Sequence, residues 1–289
     1  MNKELFKETL VDELTKKGLS VKVTVARRVN NVVPECIILD SDDEIVPSIK
    51  IDSLYEDYEN GKSLIDIVNE AYDLLKTTAP FEMDTVKNPS EIIPQLINRK
   101  INAELLATVP HRIINEDMAL IYRALVLETD NGTISYIIKN NEALALNMTE
   151  EDLYNRSLSE LKANIFSMED VVTSVVFGFD AEPANLDELK CCDESLMLVV
   201  GDLGSTYKAT AILKPDIQAK LSRVYPNGYY VLPSSIHEVI TLPKVDDKDD
   251  LKDLLNMVKD INGSDVVSDD EFLADGVYEI KDGRLVKAA

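Results

Sequence analysis

The sequence predicts an α+β protein built mainly on antiparallel sheets, and three observations carry that expectation. Short apolar runs come in neighbouring pairs joined by turn residues, which is how hairpins read. Amphipathic stretches of helical period follow several of those pairs. The resulting strand-strand-helix unit recurs after residues 32, 118, 195 and 229, at offsets too unequal for a repeat array of fixed period. Hairpin-joined neighbours pair antiparallel, and the helices are expected on one face of the sheets.

Phe6, Leu10 and Leu14 form one stripe of a helix from about Lys3 to Lys17, stopped by Gly18. Val21–Val25 alternates as a half-buried strand. The next two, Val32–Leu39 and Ile45–Ile51, flank an acidic turn, Asp40-Ser41-Asp42-Asp43-Glu44. Pro34 and Pro47 each lack a ladder donor and belong at sheet edges or strand starts. Leu64, Ile67, Val68, Ala71, Tyr72 and Leu75 then trace a helical face behind Ser63. Residues 79–94 hold three prolines and mark the expected boundary between an N-terminal lobe, 1–90, and a larger C-terminal lobe, 91–289. A helix is expected through Leu105, Leu106 and Val109.

Met118–Glu128 and Thr133–Lys139 flank Asp130-Asn131-Gly132, a hairpin signal because Asn and Gly tolerate positive φ. Thr149 with Asp152 three residues on reads as a shortened capping box, with Met148 and Leu153 placed to staple across it. Leu196–Val200 and Tyr207–Leu213 form the third strand pair, around Gly201-Asp202-Leu203-Gly204. Pro215 opens a helix. Tyr229–Leu232 and Val239–Leu242 make a fourth pair, ahead of a helix from Asp249 to Gly263 and a last hairpin around Asp282-Gly283.

The 289 residues carry 30 Lys+Arg against 53 Asp+Glu, a net charge of −23. Such a chain repels phosphate, so direct nucleic-acid and anionic-membrane binding are disfavoured. No run reaches the roughly 18 apolar residues of a spanning helix. The charge is concentrated: residues 150–194 hold 12 acids and 3 bases, and residues 246–282 hold 13 and 4. The N-terminus reads as an amphipathic helix rather than an export signal. Cys36, Cys191 and Cys192 make no disulfide framework, so a reducing cytoplasmic location is expected. Zinc-ligand spacing is missing, and the run from Asp40 has Ile45 where a calcium loop requires Gly. No metal or cofactor is therefore expected.

Two short segments bear on chemistry. In Pro233-Ser234-Ser235-Ile236-His237-Glu238, Ser235 and His237 share one face of an extended chain while Glu238 points away. A nucleophilic pair would need His237 in contact with a serine hydroxyl and oriented by a third group. The competing reading is a turn with a structurally bonded histidine. His111 and Arg112 are candidates for binding an anionic ligand, against the alternative of cations closing a helix C-terminus. Gly201-Asp202-Leu203-Gly204-Ser205 lacks the third glycine and lysine of a phosphate loop.

Thr108–Arg112, the stretch Ile137–Leu153 with its Asn-Asn-Glu and Met-Thr-Glu-Glu-Asp-Leu, and Tyr230–Ile240 stand in an order and spacing that resemble the bacterial domain-of-unknown-function family numbered 5688. The resemblance extends to the opening helix and to Tyr55-Glu56-Asp57-Tyr58. Ala143–Met148 departs from the family pattern in lacking a His and a Trp. The resemblance implies a shared fold, an origin mainly in anaerobic Gram-positive bacteria, and no assigned activity.

The leading functional expectation is a non-enzymatic binding or regulatory protein whose acidic surface meets a basic protein partner. A hydrolase using His237 with Ser234 or Ser235 is the alternative, and a nucleic-acid mimic the second. The sequence assigns no oligomeric state.

Overall fold

The computed structural model describes residues 1–41, 46, 48–77, 89–129, 132–178, 180–189, 196–202, 207–244, 248–264 and 267–289. It is an α+β fold with three sheets in which every described strand pair is antiparallel.

The first sheet orders β1 (Val21–Val25), β2 (Glu35–Leu39) and β3 (Ser48–Lys50) side by side. Three helices pack on it: α1 (Lys3–Lys16), α2 (Ile51–Glu59) and α3 (Leu64–Thr77). Asn2 caps α1 by accepting from Leu5 N–H at 2.9 Å. The predicted stripe Phe6, Leu10 and Leu14 is fully buried against Ile37, Leu54, Ile67, Val68, Ala71 and Leu75. Ile51, read as the end of a strand, instead opens α2. Most of the acidic turn and Pro47 lie outside the described residues, as does all of the 79–94 stretch before Pro89.

Ile92–Pro94, the end of that stretch, opens a strand the hydropathy pattern did not announce, β4 (Ile92–Asn98). It pairs with β6 (Met118–Thr129), whose other edge takes β5 (His111–Ile113) and β7 (Gly132–Ile137). The β6–β7 hairpin forms with Thr129 opposite Gly132; its turn residues Asp130 and Asn131 are outside the described set. Both faces of this sheet are covered. Leu120 and Tyr122 enter one core, and Ala119 and Ile121 meet Val29, Ile97, Leu106 and Val109 on the other side. A strand buried on both faces shows no alternation, which is why Ile-Ile-Pro-Gln-Leu-Ile-Asn is silent as a sequence signal.

Pro94 is tolerated because β4 is an edge. Outside it lies a 3-10 turn, Lys208–Leu213, where the sequence predicts a strand. Thr210 donates to Pro94 O and accepts from Leu96 N–H, both at 3.1 Å. Pro94 and Leu96 thus face away from β6, where no ladder donor is required of the proline. The strand expected over Tyr207–Leu213 is replaced by this anchored turn, so the third strand-strand-helix unit does not form.

The third sheet runs β13 (Arg284–Lys287), β12 (Tyr278–Lys281), β10 (Tyr229–Pro233), β11 (Val239–Pro243), β9 (Leu198–Gly201) and β8 (Asn164–Ser167). Tyr229 and Val231 face the core shared with the middle sheet, whereas Tyr230 and Leu232 face the last helix. Asp282 and Gly283 both have positive φ, +50° and +74°, as the tight terminal hairpin demands. The remaining helices are α4 (Ala103–Leu106), α5 (Asn140–Ala145), α6 (Glu150–Glu160), α7 (Met168–Phe177), α8 (Pro215–Val224) and α9 (Lys248–Asn262). Thr149 and Asp152 form the predicted capping box on α6. No helix among the described residues is long and apolar enough to cross a membrane.

A buried amide network ties the connection between β1 and β2 to the rest of the fold. Asn30, in the left-handed region at φ +59°, donates its N–H to Asn102 Oδ1 at 2.7 Å. Asn102 Nδ2 returns to Asn30 Oδ1 and to Asn98 O, and Asn30 Nδ2 donates to the carbonyls of Asp269 and Phe272.

Candidate functional site

The Ser234–Glu238 segment is the turn between β10 and β11, and its own bonds hold it. Ser235 Oγ accepts from His237 N–H at 3.0 Å, Ser235 N–H donates to Glu238 O, and Ser234 Oγ donates to Glu238 Oε1 at 3.4 Å. Ile236 is buried in the core, and its N–H donates to Glu271 O. The imidazole of His237 accepts at Nδ1 from Tyr207 N–H (3.2 Å), which leaves Nε2 as the donor toward Glu271 Oε1 at 3.3 Å. That bond, offset in part by burial, holds the Glu271 carboxyl below the usual range. Neither ring nitrogen meets the hydroxyl of Ser234 or Ser235, so the contact expected between His237 and either serine is not formed. β9 crosses this turn closely: a Cβ on Gly201 would lie 3.0 Å from Glu238 Cβ.

His237 stacks on Tyr207 with centroids 5.9 Å apart, and Tyr207 in turn faces the Arg123 guanidinium at 4.9 Å. Arg123 projects from the middle of β6 and is only 7% exposed. Its Nε donates to Ser135 Oγ (2.8 Å), Nη2 to Ser135 O (2.9 Å) and Nη1 to Gln95 Oε1 (3.3 Å). No carboxylate among the described residues pairs with it. Burial pushes its pKa down, and the nearby charge of Arg28 acts in the same direction. Gln95, on β4, is fully buried and its Nε2 has no partner. Arg28 donates from Nη2 to Ser48 O and Oγ, while its buried Nε is also unpartnered. An unpaired buried charge costs about several kcal/mol even after relaxation. Residues 28, 95, 123, 207 and 237 are far apart in sequence. The available signal was a lone polar residue, Gln95 or Arg123, inside each of two apolar runs.

His111 and Arg112 lie on β5 rather than at a helix end. Arg112 is committed: Nε and Nη2 grip Glu150 in a fork at 3.0 and 2.8 Å, Nη2 also meets Glu151, and the guanidinium lies 3.7 Å from the Tyr154 ring centroid. The Glu150 fork raises the Arg112 pKa against desolvation. Tyr122, buried in the core, donates its hydroxyl to the same Glu150. Arg112 therefore clamps α6 to β5 instead of awaiting an anion. His111 donates from Nδ1 to Val109 O (3.0 Å) and lines an open cavity of about 540 Å³ with Leu106, Pro110, Leu144 and Met148.

The acidic segments are partly spent inside the molecule. Glu150 and Glu151 hold Arg112, Glu160 holds Arg156, Asp270 holds Lys50, and Glu279 holds Lys244 and Lys281. Exposed acids remain in both segments, among them Glu169 and Asp170 in the first turn of α7 and Asp180 and Glu182 after its end. This helix is capped by Ser167, whose Oγ accepts from Asp170 N–H at 3.0 Å, and ends at Gly178 with φ +72°. None of its ten residues is buried. Val172, Val175, Val176 and Phe177 are 53%, 80%, 65% and 66% exposed, between exposed Glu169 and Asp170 on one side and Asp180 and Glu182 on the other.

No curated protein and no solved structure matches this chain. The family expected from the Thr108–Arg112, Ile137–Leu153 and Tyr230–Ile240 stretches does match, from residue 3 to residue 281 of 289. Its extent takes in every described strand but β13, with the His237 turn, Arg28 and Arg123. The chain belongs to the family of unknown function DUF5688.

Proposed function

We propose that this protein is a non-enzymatic docking module that holds a basic amphipathic segment of a partner protein on helix α7. The observation that carries the reading is a helix of ten residues with none buried and four large apolar side chains in solvent. Four valines and a threonine in Met168–Phe177 are poor helix formers. A helix below about 12 residues is marginal without tertiary packing. The Ser167 cap, the acids of the first turn and Gly178 hold its ends, and a partner laid on the valine face would supply the missing packing. Glu169, Asp170, Asp180 and Glu182 rim that face, so the complementary occupant is apolar with basic flanks. A second copy of this chain would bring like charges together at both ends. An anionic membrane would be repelled in the same way. Cys36, a buried free thiol, fits a reducing cytoplasmic setting.

A synthetic Leu/Lys amphipathic helix serves as the probe. Hydrogen exchange should show α7 amides gaining protection on its addition, with affinity falling as salt rises. Val175→Asp and Phe177→Ser remove exposed side chains, so each should weaken the peptide at least tenfold and leave the melting temperature unchanged. Binding that leaves α7 unprotected, or that both variants retain, would refute the reading. A concentration-dependent dimer lost in Val175→Asp would reassign the face to a second copy.

A further inference from the structure

We infer that Arg123, Gln95 and Arg28 form a binding site for a small phosphate-class oxyanion at the seam between the first and middle sheets. The inference is independent of α7. Among the described residues, the unpartnered buried side-chain atoms in this region, Gln95 Nε2 and Arg28 Nε, are hydrogen-bond donors. Arg123 spends three of the five N–H donors of a guanidinium on Ser135 and Gln95. All of its acceptors are neutral.

The chain had acids to spare. With 53 carboxylates to 30 basic side chains it places partners on Arg112, Arg156, Lys50 and Lys244, yet among the described residues neither Arg28 nor Arg123 receives one. Among the described residues, Asp270 is engaged by Lys50 and Glu271 by His237. Buried donors left without acceptors are costly, and an anion entering here would meet several at once. Gln95 Nε2, the spare Arg123 hydrogens and Arg28 Nε come from two strands and a loop, not from one planar fork. That spread suits the tetrahedral oxygens of a phosphoryl group better than a flat carboxylate. Tyr207 stacks against Arg123 and carries the His237 ring on its far side, which walls the seam with aromatic surface.

Isothermal titration with inorganic phosphate, glycerol 2-phosphate and acetate at matched ionic strength tests the assignment. Phosphate should bind with acetate at least tenfold weaker. Binding of phosphate without the ester assigns the free ion, and binding of the ester assigns a phosphoryl group on a larger ligand. Gln95→Glu builds the missing counter-charge into the protein; it should raise the melting temperature without phosphate and weaken phosphate at least tenfold. Arg28→Met, at a partly exposed position, should weaken phosphate several-fold in a folded protein. Phosphate that fails to bind, or that stabilises wild type and both variants equally as an excluded salt would, overturns the proposal.

Discussion

Replacing Asp117 with Asn should remove a pH-dependent fastening between the middle sheet and the C-terminal hairpin. Asp117 stands at the head of β6, 7% exposed, and accepts from Lys100 Nζ (2.7 Å), Lys287 Nζ (2.8 Å) and the Tyr278 hydroxyl (2.9 Å). Burial alone would raise its pKa, but the two ammonium groups and the phenol together hold it down at about 2. Against the ordinary 3.8, that depression corresponds to about 2 kcal/mol of stability at neutral pH. The folded pKa is the lower one, so the contribution is complete above the unfolded value and is lost as pH falls through the folded one. About half of it should remain at pH 3 and little at pH 2. Urea melts of wild type and Asp117→Asn at pH 7, 3 and 2 avoid the isoelectric region near pH 4.4. The stability gap should shrink from about 2 kcal/mol to near zero across that series. A gap of constant size would show that Asn disturbs packing rather than charge, and would refute the reasoning.

Asn102→Leu leaves the buried Asn30 N–H and Asn30 Oδ1 without their partners; chemical denaturation should show a loss of about 2–4 kcal/mol. Arg112→Lys keeps the charge but cannot reproduce the fork on Glu150 or the stacking on Tyr154. It should cost about 1–2 kcal/mol, read as a lowered melting temperature. Gly276→Ala would set a methyl 2.7 Å from the Tyr278 hydroxyl oxygen that Asp117 pins. A loss of about 1–3 kcal/mol is expected in the same melts, and it should fall in the Asp117→Asn background, where that tyrosine is freer to shift.

The elements legible in the sequence are those whose signal is local. The stripe of α1, the capping box of Thr149 and Asp152, and the Asp282-Gly283 turn each need only residues within a few positions of one another. β4 was missed because apolar cover on both faces erases the period of two and because Pro94 reads as a breaker until its outward orientation is known. Lys208–Leu213 was misread for the converse reason. Its apolar residues read as a strand, but Thr210 is bonded to the edge of β4, more than a hundred residues away.

Charge shows the same division more sharply. Counting acids by segment located the two acidic stretches but not which carboxylates were already held, and the structure ties Glu150, Glu151, Glu160, Asp270 and Glu279 to Arg112, Arg156, Lys50, Lys244 and Lys281. Ser234, Ser235 and His237 drew notice because they are adjacent in sequence, yet adjacency in a turn sends their hydrogen bonds to one another's backbone. Arg123 and Gln95 drew none, although each interrupts an apolar strand. A polar residue at a position buried on both sides of a sheet must find a partner, so its presence in Ile-Ile-Pro-Gln-Leu-Ile-Asn and Ala-Leu-Ile-Tyr-Arg-Ala-Leu is informative once those runs are known to be strands covered on both faces. What makes Arg123 and Gln95 interesting is the acceptor each lacks. A missing partner is a property of the assembled fold, because it depends on every side chain that could have reached the position and does not.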